Sequence, residues 1–173
     1  MNSTIGAGGV MFVMITTTLG VDAESPCVLE WRALPSASTP GTVRLLLEQR
    51  LAGRGLLSAL GGRADDLYLV TSELVTNACE ETPHAEIVYR ATLGREGVWI
   101  GVWDGSDEIP CEPPGVRELS FEELDAMPEG QVEHGRGLEL VAGLAAVRGV
   151  TVTPPHGKWV WAEVPYPDGS TGR

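Results

Sequence analysis

Glu73 and Asn77 stand four residues apart in the string Glu73-Leu74-Val75-Thr76-Asn77. On a helix this spacing puts both on one face, a turn apart. A carboxylate there can take a proton from a hydroxyl or a water. The oxygen of an amide there can ligate Mg2+, a hard ion that prefers oxygen. The same pentapeptide also fits an ordinary solvated helix face, so it does not decide the matter alone. Asp104, followed by Gly105 and Ser106, closes an apolar run. A carboxylate at a strand end, next to a glycine, can meet a flat ligand closely and accept hydrogen bonds from an exocyclic amine such as that of adenine. Asp-Gly is equally a common turn pair. Gly135-Arg136-Gly137-Leu138 opens a helical pattern. Its glycines expose backbone N–H groups, and the helix dipole favours an anion, so a phosphate would fit with Arg136 adding charge. A flexible loop entering a helix would read the same way. The stretch is no Rossmann fingerprint, because it lacks the third glycine and follows an acidic loop. No Gly-Lys-Ser/Thr of a P-loop occurs anywhere.

The elements that must position these groups are legible from periodicity. Residues 28–34 alternate and predict a strand. Ser38-Thr39-Pro40 offers a cap and a first-turn proline, and Val43, Leu46, Leu47 and Leu51 follow at helical spacing. That helix should fade near Gly53 or Gly55. A second helix should begin near Asp65-Asp66, carry Leu67, Val70, Leu74 and Ala78 on its core stripe, and end by Thr82 ahead of Pro83. The Glu73/Asn77 stripe lies about 100° around that helix from the Leu74/Ala78 stripe, so it borders the core. Residues 86–93 and 98–103 predict strands around a turn at 94–97. The second of these is a continuous apolar run, which suits a buried central strand. Residues 104–133 carry prolines, ten acidic residues and one Arg. Within them Ser120 and Glu123 make a capping box flanked by Leu119 and Leu124. A long connection of this kind inside a compact domain is usually functional or mobile. A third helix should follow Gly135 with Leu138, Val141, Leu144 and Ala145 inward, and residues 148–153 and 158–164 should close the domain as a hairpin. The order β, α, α, β, β, long loop, α, β, β predicts an α+β fold: a two-layer sandwich, its sheet mixed but mostly antiparallel, with helices on one face.

The length of 173 residues suits one domain, and 43% apolar residues exclude a disordered chain. A formal net charge of −12 argues against a nucleic-acid partner, because phosphate binding needs a basic face. Lys158 is the only lysine in an Arg-dominated set, a bias that reads as base composition. Cys27, Cys79 and Cys111 have no metal-ligand spacing and form no disulfide framework, so reduced thiols in a cytoplasmic protein are expected. His84, His134 and His156 read as surface or turn residues. The apolar stretch 10–15 is too short to span a bilayer, and no Lys or Arg precedes Arg32, so neither a membrane anchor nor a secretory signal is expected. The expected division is a flexible extension over 1–26, a domain over 27–165 with a lid at about 105–134, and a tail over 166–173.

Together these residues resemble the N box, G1 box, lid and G2 box of the GHKL ATPases, whose ATP-binding domain is the Bergerat fold. SELVTNA at 72–78, VWDGS at 102–106, GRGLELV at 135–141 and WVWAEVP at 159–165 are most similar to the small stand-alone members, the anti-sigma-factor serine kinases and their actinobacterial relatives. The resemblance implies ATP and Mg2+ as ligands. It implies that Glu73 is the general base, Asn77 the Mg2+ ligand and Asp104 the adenine-binding aspartate. It implies that Gly135 and Gly137 are the phosphate-side glycines that hinge the lid; Gly105, Arg136 and Leu138 are expected to be cofactor-binding with them. The partners it implies are an anti-sigma antagonist, phosphorylated on serine, and a sigma factor held from RNA polymerase; a homodimer is a further expectation. Departures from the pattern are Glu80 and Glu81, where relatives often carry a basic residue or His, and Trp159, where a small hydroxyl residue usually helps fix adenine through water. These departures and the acidic lid keep open a second reading, a catalytically weak or inactive protein-binding module. The catalytic half of a sensor histidine kinase is disfavoured, since no histidine sits in a long dimerising hairpin.

Overall fold

The computed structural model describes residues 27–110 and 136–167. The capping-box segment around Ser120 and Glu123 lies outside them, as do Gly135, Cys111 and His134. The chain opens with strand β1 (Cys27–Ala33) and helix α1 (Thr39–Gly53). Pro40 sits in the first turn of α1, where a missing N–H costs nothing. Ser38 makes no side-chain cap. Thr39 ties the helix start instead, its hydroxyl donating to the Leu34 carbonyl at 3.0 Å. Helix α2 (Leu57–Leu60) and a 3-10 turn (Gly61–Arg63) lead into α3 (Ala64–Glu81). Asp65 and Asp66 lie in the first turn of α3, and Asp66 also pairs with Arg63 at 2.7 Å. Pro83 follows the last turn, as its restriction on the preceding backbone requires. Strands β2 (Ile87–Leu93) and β3 (Gly97–Asp104) form a hairpin. After it come α4 (Arg136–Leu144), β4 (Val147–Val152) and β5 (Lys158–Pro165).

The five strands make one sheet in the order β1-β2-β3-β5-β4. Among the described residues every neighbouring pair is antiparallel, so the sheet they form is not mixed. The reason is the place of β5, which enters between β3 and β4 and runs opposite to both. The long β3-to-β4 connection therefore never creates a parallel neighbour.

Strand alternation sends Leu29, Trp31, Tyr89, Ala91, Ile100, Val102, Val160 and Ala162 to one face, where they are buried. Val43, Leu47 and Leu51 of α1, Leu67, Val70, Leu74 and Ala78 of α3, and Val141 of α4 complete this core. The helices thus cover one face of the sheet, giving the expected two-layer α+β arrangement. The opposite face carries tryptophans. The Trp99 ring lies across Gly101, where any Cβ would collide with it, and stacks at 6.3 Å from Trp161. Trp159 lies on this same face, 6.1 Å from Trp99 and under the Arg90 guanidinium at 4.8 Å.

Among the described residues no helix is long and apolar enough to cross a membrane. Cys27 and Cys79 are free and half-buried. His84 and His156 are exposed, as expected of turn residues.

Candidate functional site

Helix α3 carries Glu73 and Asn77 on the stripe beside its buried Leu74 and Ala78. Both polar residues are half-buried, so they border the core instead of facing bulk water. The next helix comes down on Glu73. A Cβ on Gly137 would run into the Glu73 carboxylate, so α4 begins with its backbone against that acid. A side chain there would turn the Glu73 carboxylate away from the helix start. One turn further along α3, the Asn77 side-chain nitrogen is buried and has no hydrogen-bond partner among the described residues. The backbone of Arg136 opens α4. Leu138 packs against the core behind it.

The end of β3 meets the C-terminal turn of the same helix. Gly105 lies against Thr82, and the Ser106 hydroxyl donates to the Glu81 carboxylate at 3.3 Å. Asp104 is completely buried. Its Oδ1 accepts from the Ser106 N–H at 2.9 Å and from the Lys158 ammonium at 2.8 Å. Its Oδ2 is buried without a hydrogen-bond partner among the described residues. The α3 stripe therefore joins the two other motifs, Gly137 near Glu73 and Asp104-Gly105-Ser106 near its last turn.

A cavity of about 380 Å³ opens between α3, α4 and the sheet, within the range of small-molecule sites. Leu74 forms its α3 wall, Leu138 and Val141 its α4 wall, Val150 and Val160 its sheet floor, and Ile109 one rim. Glu73, Asn77 and Asp104 are not in its wall. Arg148 is the basic side chain on its lining.

Sequence reasoning missed Lys158. It read the single lysine as compositional bias and took Trp159 for the residue at the adenine position. The register puts Lys158, not Trp159, opposite Asp104, with both on the helix-facing side. Trp159 points to the other face of the sheet. A lone lysine ahead of a strand of alternating apolar residues was the available signal, since it holds the inward phase of Val160 and Ala162.

An antiparallel sheet covered on one side by helices, with an acid and an amide on α3 and an aspartate at the end of β3, makes a two-layer α+β domain. Residues 62–168, more than half of the chain, match the family described as histidine kinase-, DNA gyrase B-, and HSP90-like ATPase. The chain belongs to this family, and it carries the family's ATP-binding domain. The match runs from the start of α3 through β5 and so includes every candidate site residue. No curated protein matches the chain at a significant level.

Proposed function

We propose that the chain is an ATP–Mg2+-binding regulator. In one state it moves the γ-phosphoryl group of ATP onto a serine of an anti-sigma-antagonist partner, and in the other it holds a sigma factor. The observation that carries this reading is the meeting of the Glu73 carboxylate with the glycine start of α4. That start is where backbone N–H groups and the helix dipole favour a phosphate. An acid beside it is positioned to take the proton of an incoming serine hydroxyl. The serine oxygen then bonds to phosphorus as the bond to the departing ADP oxygen breaks, and ADP keeps that electron pair.

The residues present fit both ligands. The unpartnered Asp104 Oδ2 is an acceptor suited to an exocyclic N–H. Asn77 has one amide end buried and unpaired, and a flip of that amide would offer an oxygen to a hard cation. Magnesium, when bound, would neutralise charge between neighbouring phosphates. Among the described residues no group of three His, Cys, Asp or Glu could hold a metal. An ion held through the Asn77 amide would be carried largely by phosphates and water.

The test is transfer of labelled γ-phosphate to a serine-bearing candidate partner. In Glu73→Gln, transfer should fall by about 10²–10⁴-fold while ATP affinity stays within about threefold. Equal transfer by both proteins would remove Glu73 as the base. One observation favours a protein-binding module with a weak pocket: Asp104 already has an internal partner in Lys158. Calorimetry separates the two readings. Micromolar ATP–Mg2+ binding that is lost in Asp104→Asn supports the kinase, and absence of any nucleotide heat supports the module.

A further inference from the structure

The Lys158–Asp104 pair is an unusual investment for so small a core. Their side chains are 1% and 0% exposed, and the ammonium stands 2.8 Å from Oδ1. Burying two charges is costly unless their mutual attraction offsets the lost hydration. A second bond from the ammonium to the Ser106 carbonyl, at 3.3 Å, helps satisfy it. Local geometry fixes the pairing. Gly157 adopts φ +84°, and a Cβ there would meet the Asp104 carbonyl oxygen and the Trp103 indole. Its N–H donates to Asp107 and its carbonyl accepts from the Thr153 N–H, each at 2.8 Å. This turn sets where β5 starts and so delivers Lys158 opposite Asp104.

Both donors that reach Asp104, the ammonium and the Ser106 N–H, go to Oδ1. Among the described residues Oδ2 is left buried and unpaired. A buried acceptor in that state is a standing cost, relieved only by a donor. We infer that Lys158 is a positioning and specificity residue, which clamps one carboxylate oxygen of Asp104 so that the other is reserved for the exocyclic amine of a purine. The inference rests on the nucleotide reading proposed above. A ring bearing an amine at that position satisfies Oδ2. A ring bearing a carbonyl sets acceptor against acceptor, and a site built around a hydrogen bond rejects such a ligand strongly. Without the ammonium, the Ser106 N–H alone holds the carboxylate, and the plane in which Oδ2 is presented is less tightly set.

Because Lys158 is the only lysine, 15N-lysine labelling of the full chain reports on this one side chain. Saturating ATP–Mg2+ should shift its Nζ resonance, and GTP–Mg2+ at the same concentration should shift it little. By calorimetry, Lys158→Met should weaken ATP at least about tenfold and bring ATP and GTP within about threefold of each other. Lys158→Arg, which keeps a cationic donor, should retain a preference for ATP. The resonance experiment uses the wild-type chain, so it decides the matter even where Lys158→Met fails to fold. ATP binding to wild type with an unmoved Nζ signal overturns the inference and leaves the nucleotide reading standing. So does a Lys158→Met protein that binds ATP as tightly as wild type with its preference intact. A wild-type chain that gives no heat with ATP removes the nucleotide reading itself, and the role of Lys158 falls with it.

Discussion

Gly137 shows how much one missing methyl group decides. A side chain there would occupy the space of the Glu73 carboxylate. Gly137→Ala should therefore turn the Glu73 carboxylate aside, at the cost of an off-rotamer side chain, about 0.5–1.5 kcal/mol. Replacing Glu73 with Ala in the same protein should return most of that loss. Urea unfolding of the two single variants and the double variant measures the coupling, and simple additivity would show that the two residues do not meet. Tyr89 makes a different argument at the same scale. It is fully buried, and its hydroxyl shares a 3.1 Å bond with that of Thr71. Burial pushes the phenol well above its usual value near 10, with the Thr71 bond pulling partly back. The folded chain thus keeps this proton at a pH where the unfolded chain has released it. The stability it contributes is whole below about pH 10 and is lost as pH rises beyond that. Tyr89→Phe should cost about 1 kcal/mol at neutral pH through the unpaired Thr71 hydroxyl. Its stability should then fall less steeply than that of wild type above pH 10, which denaturant melts across that range would reveal.

At the scale of elements, α3 joins everything. It packs on α1 and α4, crosses the sheet, and carries the acid and the amide. Leu74, between the polar stripe and the sheet, is 1% exposed and also walls the cavity. Leu74→Ala should cost about 2–5 kcal/mol and enlarge that cavity. A thermal melt checks the cost, and a loss below about 1 kcal/mol would mean the site collapses without penalty. The limits of α1 and α3 were legible because proline, acidic first turns and apolar spacing act locally. The short α2 escaped notice because its Leu57–Leu60 turn lies between Gly53, Gly55, Gly61 and Gly62, which read as loop. The wholly antiparallel pairing escaped notice too, because strand order depends on where β5 inserts, and no local pattern encodes that.

For the whole molecule, ATP should act as a stabiliser of the folded state. At a concentration about 100 times its Kd it should add about 2.7 kcal/mol, visible as a raised Tm. Chelating Mg2+ should remove part of that rise, and a Tm indifferent to ATP would mean the folded chain has no special affinity for it. The sequence alone determined the two-layer α+β class, the helix that bears Glu73 and Asn77, and the placing of Asp104 at a strand end, because helix period, strand alternation and breaker residues are written in neighbouring letters. Only the tertiary structure decided that Gly137 seats α4 on Glu73, that Trp159 faces away from the site, and that Lys158 holds one oxygen of Asp104. Asp104 and Lys158 are 54 positions apart in the chain, and sheet register together with the one-residue phase of β5 brings them face to face. Register is settled by the packing of the whole core, so no local stretch of sequence announces it.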